Sequence, residues 1–271
     1  MNISNNVGGG FASINRASSS VTTASERIAS GSRINNGRDD AAGLAISNRL
    51  TSQITGFGQA TRNANDGISF LQTADSGLAS LTDGIQRIRE LSIQAANGTL
   101  SDKDRGYLNA EAQEIKDELT RTVETTQFNN QALYTNDDDI PLQVGAESGD
   151  TLDVSVGNIE QLFEDAGLAD IDLSTAAGAN DALGALDQVQ EGINSSVSEI
   201  GAGLNRLDST IASLSASEIA AEASRSRVKD ADLAKEISDL ASGQVKQEAA
   251  IAMQAQANAQ KGIVLKFLEG L

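Results

Sequence analysis

The chain has 271 residues and a formal net charge of −18, with 39% hydrophobic residues but only 3% aromatics. It holds no Cys and no His, which excludes disulfides, thiol and imidazole nucleophiles, and the usual zinc and iron ligands. The acidic balance argues against a nucleic-acid partner, which needs a basic surface to displace counterions, and no apolar run approaches the roughly 20 residues that cross a bilayer.

Along the chain, Val7, Ile14, Val21 and Ile28 recur every seven residues, with Ile3, Gly10, Ala17 and Ala24 as companions. That spacing predicts a helix with a narrow apolar seam. Residues 31–43 break the pattern: Gly31 and Gly37 favour a loop, and Asp39 or Asp40 is placed to cap the next helix. Leu50, Phe57, Ala64, Leu71, Leu78 and Ile85 then repeat at seven, with Ala60, Ala74, Leu81 and Ile88 on the same stripe. They predict a helix over 44–96, about 80 Å long at 1.5 Å per residue. Gly56, Gly58, Gly67, Gly77 and Gly84 each lower its propensity by up to about 1 kcal/mol, so it is stable only when packed. Asn97-Gly98 marks a turn, and Ser101 opens a helix over 101–123 with Asp104 placed for a capping box. Its apolar face is Leu108, Ala112, Ile115 and Leu119.

Residues 128–157 change character. Turn signals flank two alternating stretches, from Ile140 and from Leu152, which predict β-hairpins. Asp137, Asp138 and Asp139 lack the central Gly and terminal Glu of a calcium-binding EF-hand loop. Residues 160–180 read as a loop with a helical turn at Gln161–Asp165. Leu186, Ile193, Ile200, Leu207 and Leu214, with Val189, Val197, Leu204 and Ile211, predict a helix over 183–228. After a break at which Asp230 or Asp232 can cap, the last segment carries Leu233, Ile237, Leu240, Val245 and Ile263 as its seam. Its other face is rich in Gln: Gln244, Gln247, Gln254, Gln256 and Gln260. A neutral polar face suits contact with copies of itself, or the lining of a narrow wet space, without repulsion. The expected fold class is mainly α, a long antiparallel helical bundle or coiled coil with a small β-hairpin region. The two ends, 1–42 and 231–271, sum to zero charge, and the stretch from Asp137 to Glu191 has fourteen acids and no Lys or Arg. An acidic middle between neutral ends fits an assembly whose ends are buried and whose middle faces water.

Several segments resemble the signatures of bacterial flagellins. Glu26 to Ser47, reading Glu-Arg-Ile-Ala-Ser-Gly-Ser-Arg-Ile-Asn-Asn-Gly-Arg-Asp-Asp-Ala-Ala-Gly-Leu-Ala-Ile-Ser, is similar to the N-terminal signature. So are Arg62 to Ser69, Gln72 to Asp75, Gln86 to Leu91 and Thr126 to Asn129. Leu204 to Leu207, Ser226 to Asp232 and Ala252 to Asn258 are similar to the C-terminal signature. The resemblance covers 1–135 and 183–271 and fits a short form with no extra outer domain. It implies an inner domain of paired terminal helices, 1–42 with 231–271. It also implies a rod domain over 43–230, with helices 44–96, 101–123 and 183–228 and β-hairpins at about 128–157.

The implied function is that of a structural subunit, not an enzyme, which self-assembles helically into an extracellular motility filament after type III export without a cleaved signal peptide. Implied partners are copies of itself, the export chaperone, and the cap and hook-associated proteins. In flagellins detected by the vertebrate innate receptor TLR5, an Arg, a Leu and a Glu are central, and the matching positions here are Arg87, Leu91 and Glu111. The same residues also fit subunit packing. The filament-core seam would be Val7, Ile14, Val21 and Ile28 with Ile237, Leu240, Val245 and Ile263. A hook–filament junction protein shares such ends, and a secreted adhesin could reuse them. An inserted His-Glu-x-x-His protease is excluded by the absence of His.

Overall fold

A computed structural model describes residues 5–136 and 139–269, with side chains over 11–136, 139–260 and 262–263. The helices are α1 (Asn5–Ser30), α2 (Ala41–Ala95), α3 (Asp102–Thr125), α4 (Ile159–Asp165), α5 (Ala176–Lys229) and α6 (Leu233–Glu269). Two small antiparallel hairpins pair β1 (Gln127–Phe128) with β2 (Gln131–Ala132) and β3 (Ile140–Gln143) with β4 (Thr151–Val154). The mainly α fold read from the periodicities is the one that forms. Asp137 and Asp138 lie outside the described residues, as does Ile3.

The helix ends follow local chemistry. Asp40 Oδ1 accepts the Gly43 N–H at 2.8 Å and caps α2. Asp39 instead accepts the N–H groups of Asn35 and Asn36 at 2.9 and 3.1 Å, which closes the preceding loop. Ser101 and Asp104 form the reciprocal capping box at α3. Asp232 caps α6 through the N–H groups of Ala234 and Lys235, while Asp230 accepts from Ser226 Oγ. One expectation needs correction: α5 begins at Ala176, within the stretch expected to be a loop. Thr175 Oγ1 accepts the Gly178 N–H at 3.0 Å, and Ala179 is fully buried, so a cap and a core contact start the helix early.

The chain folds as two compact units, Met1–Ile54 with Ile219–Leu271, and Thr55–Glu218. The core of the second unit is the stripe Leu71, Leu78, Leu81, Ile85 and Ile88 of α2, with Leu186, Val189, Ile193, Ile200 and Leu207 of α5 and Ala112, Leu119 and Val123 of α3. Arg105 is buried and closes the α2–α3 turn, donating from Nε to Ala95 O at 2.8 Å and from Nη2 to Asn97 O at 2.9 Å. The β1–β2 turn, Asn129-Asn130, has φ of 49° and 67°, the left-handed pair of a type I′ two-residue hairpin. Phe128 then meets Phe70 edge-on at 5.8 Å.

Glycines on α2 receive side chains from the hairpin region. A Cβ at Gly67 would overlap Leu142 Cδ1, and one at Gly77 would overlap the Tyr134 hydroxyl. Tyr134 is fully buried and donates its hydroxyl to Ala74 O at 2.5 Å. Burial pushes its pKa well above the usual phenol range.

In the first unit, α1 and α6 pair antiparallel, since Val21 lies at Gly243 and Arg27 at Glu236. An isolated bridge joins Ser32 to Asp230 at their base, with Arg33 N donating to Lys229 O at 2.7 Å and Ala231 N to Gly31 O at 3.0 Å.

Two outcomes are expected. Gly77→Ala should lower stability in urea unfolding by roughly 1–3 kcal/mol, because the added methyl displaces Tyr134. Gly201→Ala, in a helix interior with nothing within 4 Å of the new Cβ, should raise it by up to about 1 kcal/mol. Asp39 has its pKa lowered by the Asn35 and then the Asn36 N–H, so its contribution to the loop is full above the ordinary value of 3.8 and is lost as pH falls through the depressed folded value. The Asn35 and Asn36 amide shifts should therefore titrate below pH 3.8; a midpoint at or above it would refute the coupling.

Candidate functional site

Two side-chain constellations stand out, one in each unit. On α2 and α3, Arg87 Nη2 donates to Glu111 Oε1 at 2.7 Å and Nη1 donates to Glu90 Oε2 at 2.9 Å. Hydrogen bonding to Glu111, and next to Glu90, pushes the guanidinium pKa above its ordinary value. The pair is solvent-exposed, so it is a presented charge pattern more than a source of stability. Leu91 sits one turn along α2 but is only 2% exposed and belongs to the core. The structure thus brings Arg87 and Glu111 together and places Leu91 behind them. Sequence reasoning did not single out Glu90, nor the exposed Ile93 and Tyr107 on the same two helices. Arg89 also pairs with Asp187 of α5.

The second constellation is the α1–α6 seam. On α1, Ile14, Val21 and Ile28 are half-buried, and Ala17 and Ala24 are buried. The Val7 side chain lies outside the described residues. On α6 only Leu240 of the expected four faces α1. Ile237, Val245 and Ile263 are 55%, 66% and 68% exposed within the chain. The stripe that meets α1 is instead Glu236, Leu240, Gly243, Gln247, Ala250 and Gln254, spaced three and four apart. On this stripe Glu236 is 4% exposed and pairs with Arg27 Nη1 at 3.2 Å. Apolar spacing on α6 alone gave no sign of this pair, though Arg27 stands in the signature segment.

Cavities are shallow. One of about 340 Å³ lies between α3 and α4, floored by Val123, Phe163 and Leu168 and rimmed by Asp117, Glu124, Glu160 and Glu164. Among the described residues no cluster of three or more carboxylates is placed to hold a metal ion, and no helix is long and apolar enough to cross a membrane.

Comparison with known proteins gives the same picture along the chain. The family model of the bacterial flagellin N-terminal helical region matches residues 11–138, and that of the C-terminal helical region matches 183–268. A flagellin of Halalkalibacterium halodurans is 39% identical over 246 residues, 90% of each chain. The chain belongs to the bacterial flagellin family. The flagellin FlaB2 of Treponema pallidum is 37% identical over 258 residues, again 90% of each chain. The crystal structure of Bacillus cereus flagellin aligns with a TM-score of 0.51 at 31% identity, covering 56% of this chain and 88% of that one. Flagellins are structural proteins. The two matched regions contain both the Arg87–Glu111 and the Arg27–Glu236 pairs, while β3, β4, α4 and their acidic residues fall between them.

The Arg87 constellation yields a paired outcome. Leu91→Ala should destabilise this flagellin by about 2–5 kcal/mol, as a truncated core leucine. Arg87→Ala should leave the urea midpoint unchanged. If Leu91→Ala proves neutral in the same assay, Leu91 is not a core residue.

Proposed function

We propose that this flagellin is the self-assembling structural subunit of an extracellular flagellar filament and has no catalytic role. Family membership supports the reading, and one structural observation carries it furthest. Leu233, Ile237, Val245, Ile251, Met253 and Ile263 leave α6 with exposed large apolar side chains along its length. Neighbouring copies are the natural cover for such a face. In this reading 1–42 with 231–271 form the inner domain, and 43–230 form the rod. Residues Thr55–Glu218 carry 28 acids against 8 basic residues, and this surface faces water or adjacent rods.

Beyond copies of itself, the proposed partners are the export chaperone and the filament cap and hook-associated proteins. TLR5 is the proposed receptor for the Arg87–Glu111 pattern in the free subunit, with Leu91 supporting that surface from beneath. The same surface is proposed to pack against neighbouring subunits in the filament.

Purified chain added to short filament seeds at moderate salt should extend them into long uniform tubes under the electron microscope. Persistent monomer or short rings, with seeds shown to be competent, would instead favour a junction protein. Extension should also be slower at very low salt, where the screening length grows well beyond its ~8–10 Å near physiological ionic strength. Equal rates would remove the idea of repulsion between acidic rods.

A further inference from the structure

The face that α6 turns to α1 is not its more apolar one. It offers Glu236, Gly243, Gln247 and Gln254 beside Leu240 and Ala250, while Ile237, Val245 and Ile263 point away. Apolar burial alone would rotate α6 the other way. Close packing at Gly243, where Val21 leaves little room for a Cβ, favours the observed face along part of the seam, but the seam also borders a polar cleft of about 340 Å³ lined by residues including Ser20, Thr23, Asp239 and Lys246. The base of the pair is tied by the Ser32–Asp230 bridge, but a bridge fixes position along the axis and leaves rotation about it open. The same face carries one specific polar contact. Glu236 is buried against Arg27, and turning Ile237 and Val245 inward would part the two.

We propose that the Arg27–Glu236 pair is the specificity-determining contact of the α1–α6 pairing, selecting which face of α6 meets α1 and so keeping the Ile237, Val245 and Ile263 face outward for neighbouring copies. The outward role rests on the assembly function proposed above; the choice of face does not. Buried ion pairs are poor stabilisers, and their best-attested use is to specify one arrangement among near-equals. Arg27 fits that use, since its Nε is buried with no partner, an arrangement that is not optimised for stability. A competing account is the helix dipole, because Arg27 lies in the last turn of α1 and Glu236 in the first turn of α6. Exchanging the two charges separates the accounts: it opposes both dipoles but preserves the pair.

The absence of cysteine makes the choice of face directly measurable. A Cβ built at Gly243 lies 3.9 Å from Val21 Cα, within disulfide reach, so Val21→Cys with Gly243→Cys reports the observed face. Val21→Cys with Val245→Cys reports the rotated one. Intramolecular disulfide in a glutathione redox buffer is read by mobility on non-reducing gels, at chain concentrations low enough to suppress dimers. The observed-face pair should dominate in the otherwise unaltered chain. Arg27→Met keeps the aliphatic stem but leaves Glu236 buried and unpaired, and should shift the ratio toward the rotated pair by tenfold or more. Arg27→Lys, and the exchange Arg27→Glu with Glu236→Arg, should each return the ratio to within about threefold of the unaltered value, the spread expected for surface-near charge terms. The proposal is overturned if the unaltered chain shows no preference, if Arg27→Met leaves the ratio unchanged, or if the exchange does no better than Arg27→Met. Seeded extension is scored separately on the same chains. Failure of the unaltered chain to extend seeds would remove the assembly function while leaving the intramolecular ratio to decide the choice of face.

Discussion

Lateral packing is the constraint on which this chain depends. A helix as rich in Gly, Ser and Asn as α2 has too little intrinsic propensity to persist alone over 55 residues. It persists because its apolar stripe is buried against α5 and α3, and because its glycines admit what would otherwise be excluded. Gly67 and Gly77 are weak helix formers that become necessary ones once Leu142 and Tyr134 occupy the space a side chain would fill. The hairpin region is thus held to the long helix by knobs in backbone notches, and the Tyr134 hydroxyl adds a hydrogen bond to the α2 backbone.

Much of this was legible in the sequence because burial and spacing coincide there. The seven-residue stripes of α2 and α5 are buried where two apolar faces meet, and Leu71, Leu78, Ile85, Leu186, Ile193, Ile200 and Leu207 all lie in the core. The cap at Ser101 was legible, and those at Asp40 and Asp232 were narrowed to two candidates each, because caps depend on a few adjacent residues. The start of α5 was missed because Gly178 and Asn180 offset the helix preference of Ala176, Ala177 and Ala179, and a tertiary contact at Ala179 decides it.

The candidate sites were legible unevenly, and for a different reason. The sequence shows which residues are apolar but not which of two stripes a neighbour selects. On α6 the more apolar stripe is the exposed one, because a pair 209 residues apart in the chain, Arg27 and Glu236, sets the rotation. Leu91 lies in the core, while Arg87, one turn away in the same motif, carries its guanidinium at the surface. Arg87 and Glu111 meet only because α3 folds back along α2, which Arg105 secures at the turn.

The placement of the tyrosines has a practical corollary. The chain has no Trp, and both of its Tyr residues, Tyr107 and Tyr134, lie within Thr55–Glu218. Intrinsic fluorescence and near-ultraviolet dichroism from tyrosine therefore report on that unit and are silent about the other. A denaturation curve followed by tyrosine emission describes the core around Tyr134, whatever α1 and α6 are doing. The behaviour of the terminal pair has to be followed through the backbone, by far-ultraviolet dichroism or amide exchange, or through a fluorophore placed there by substitution.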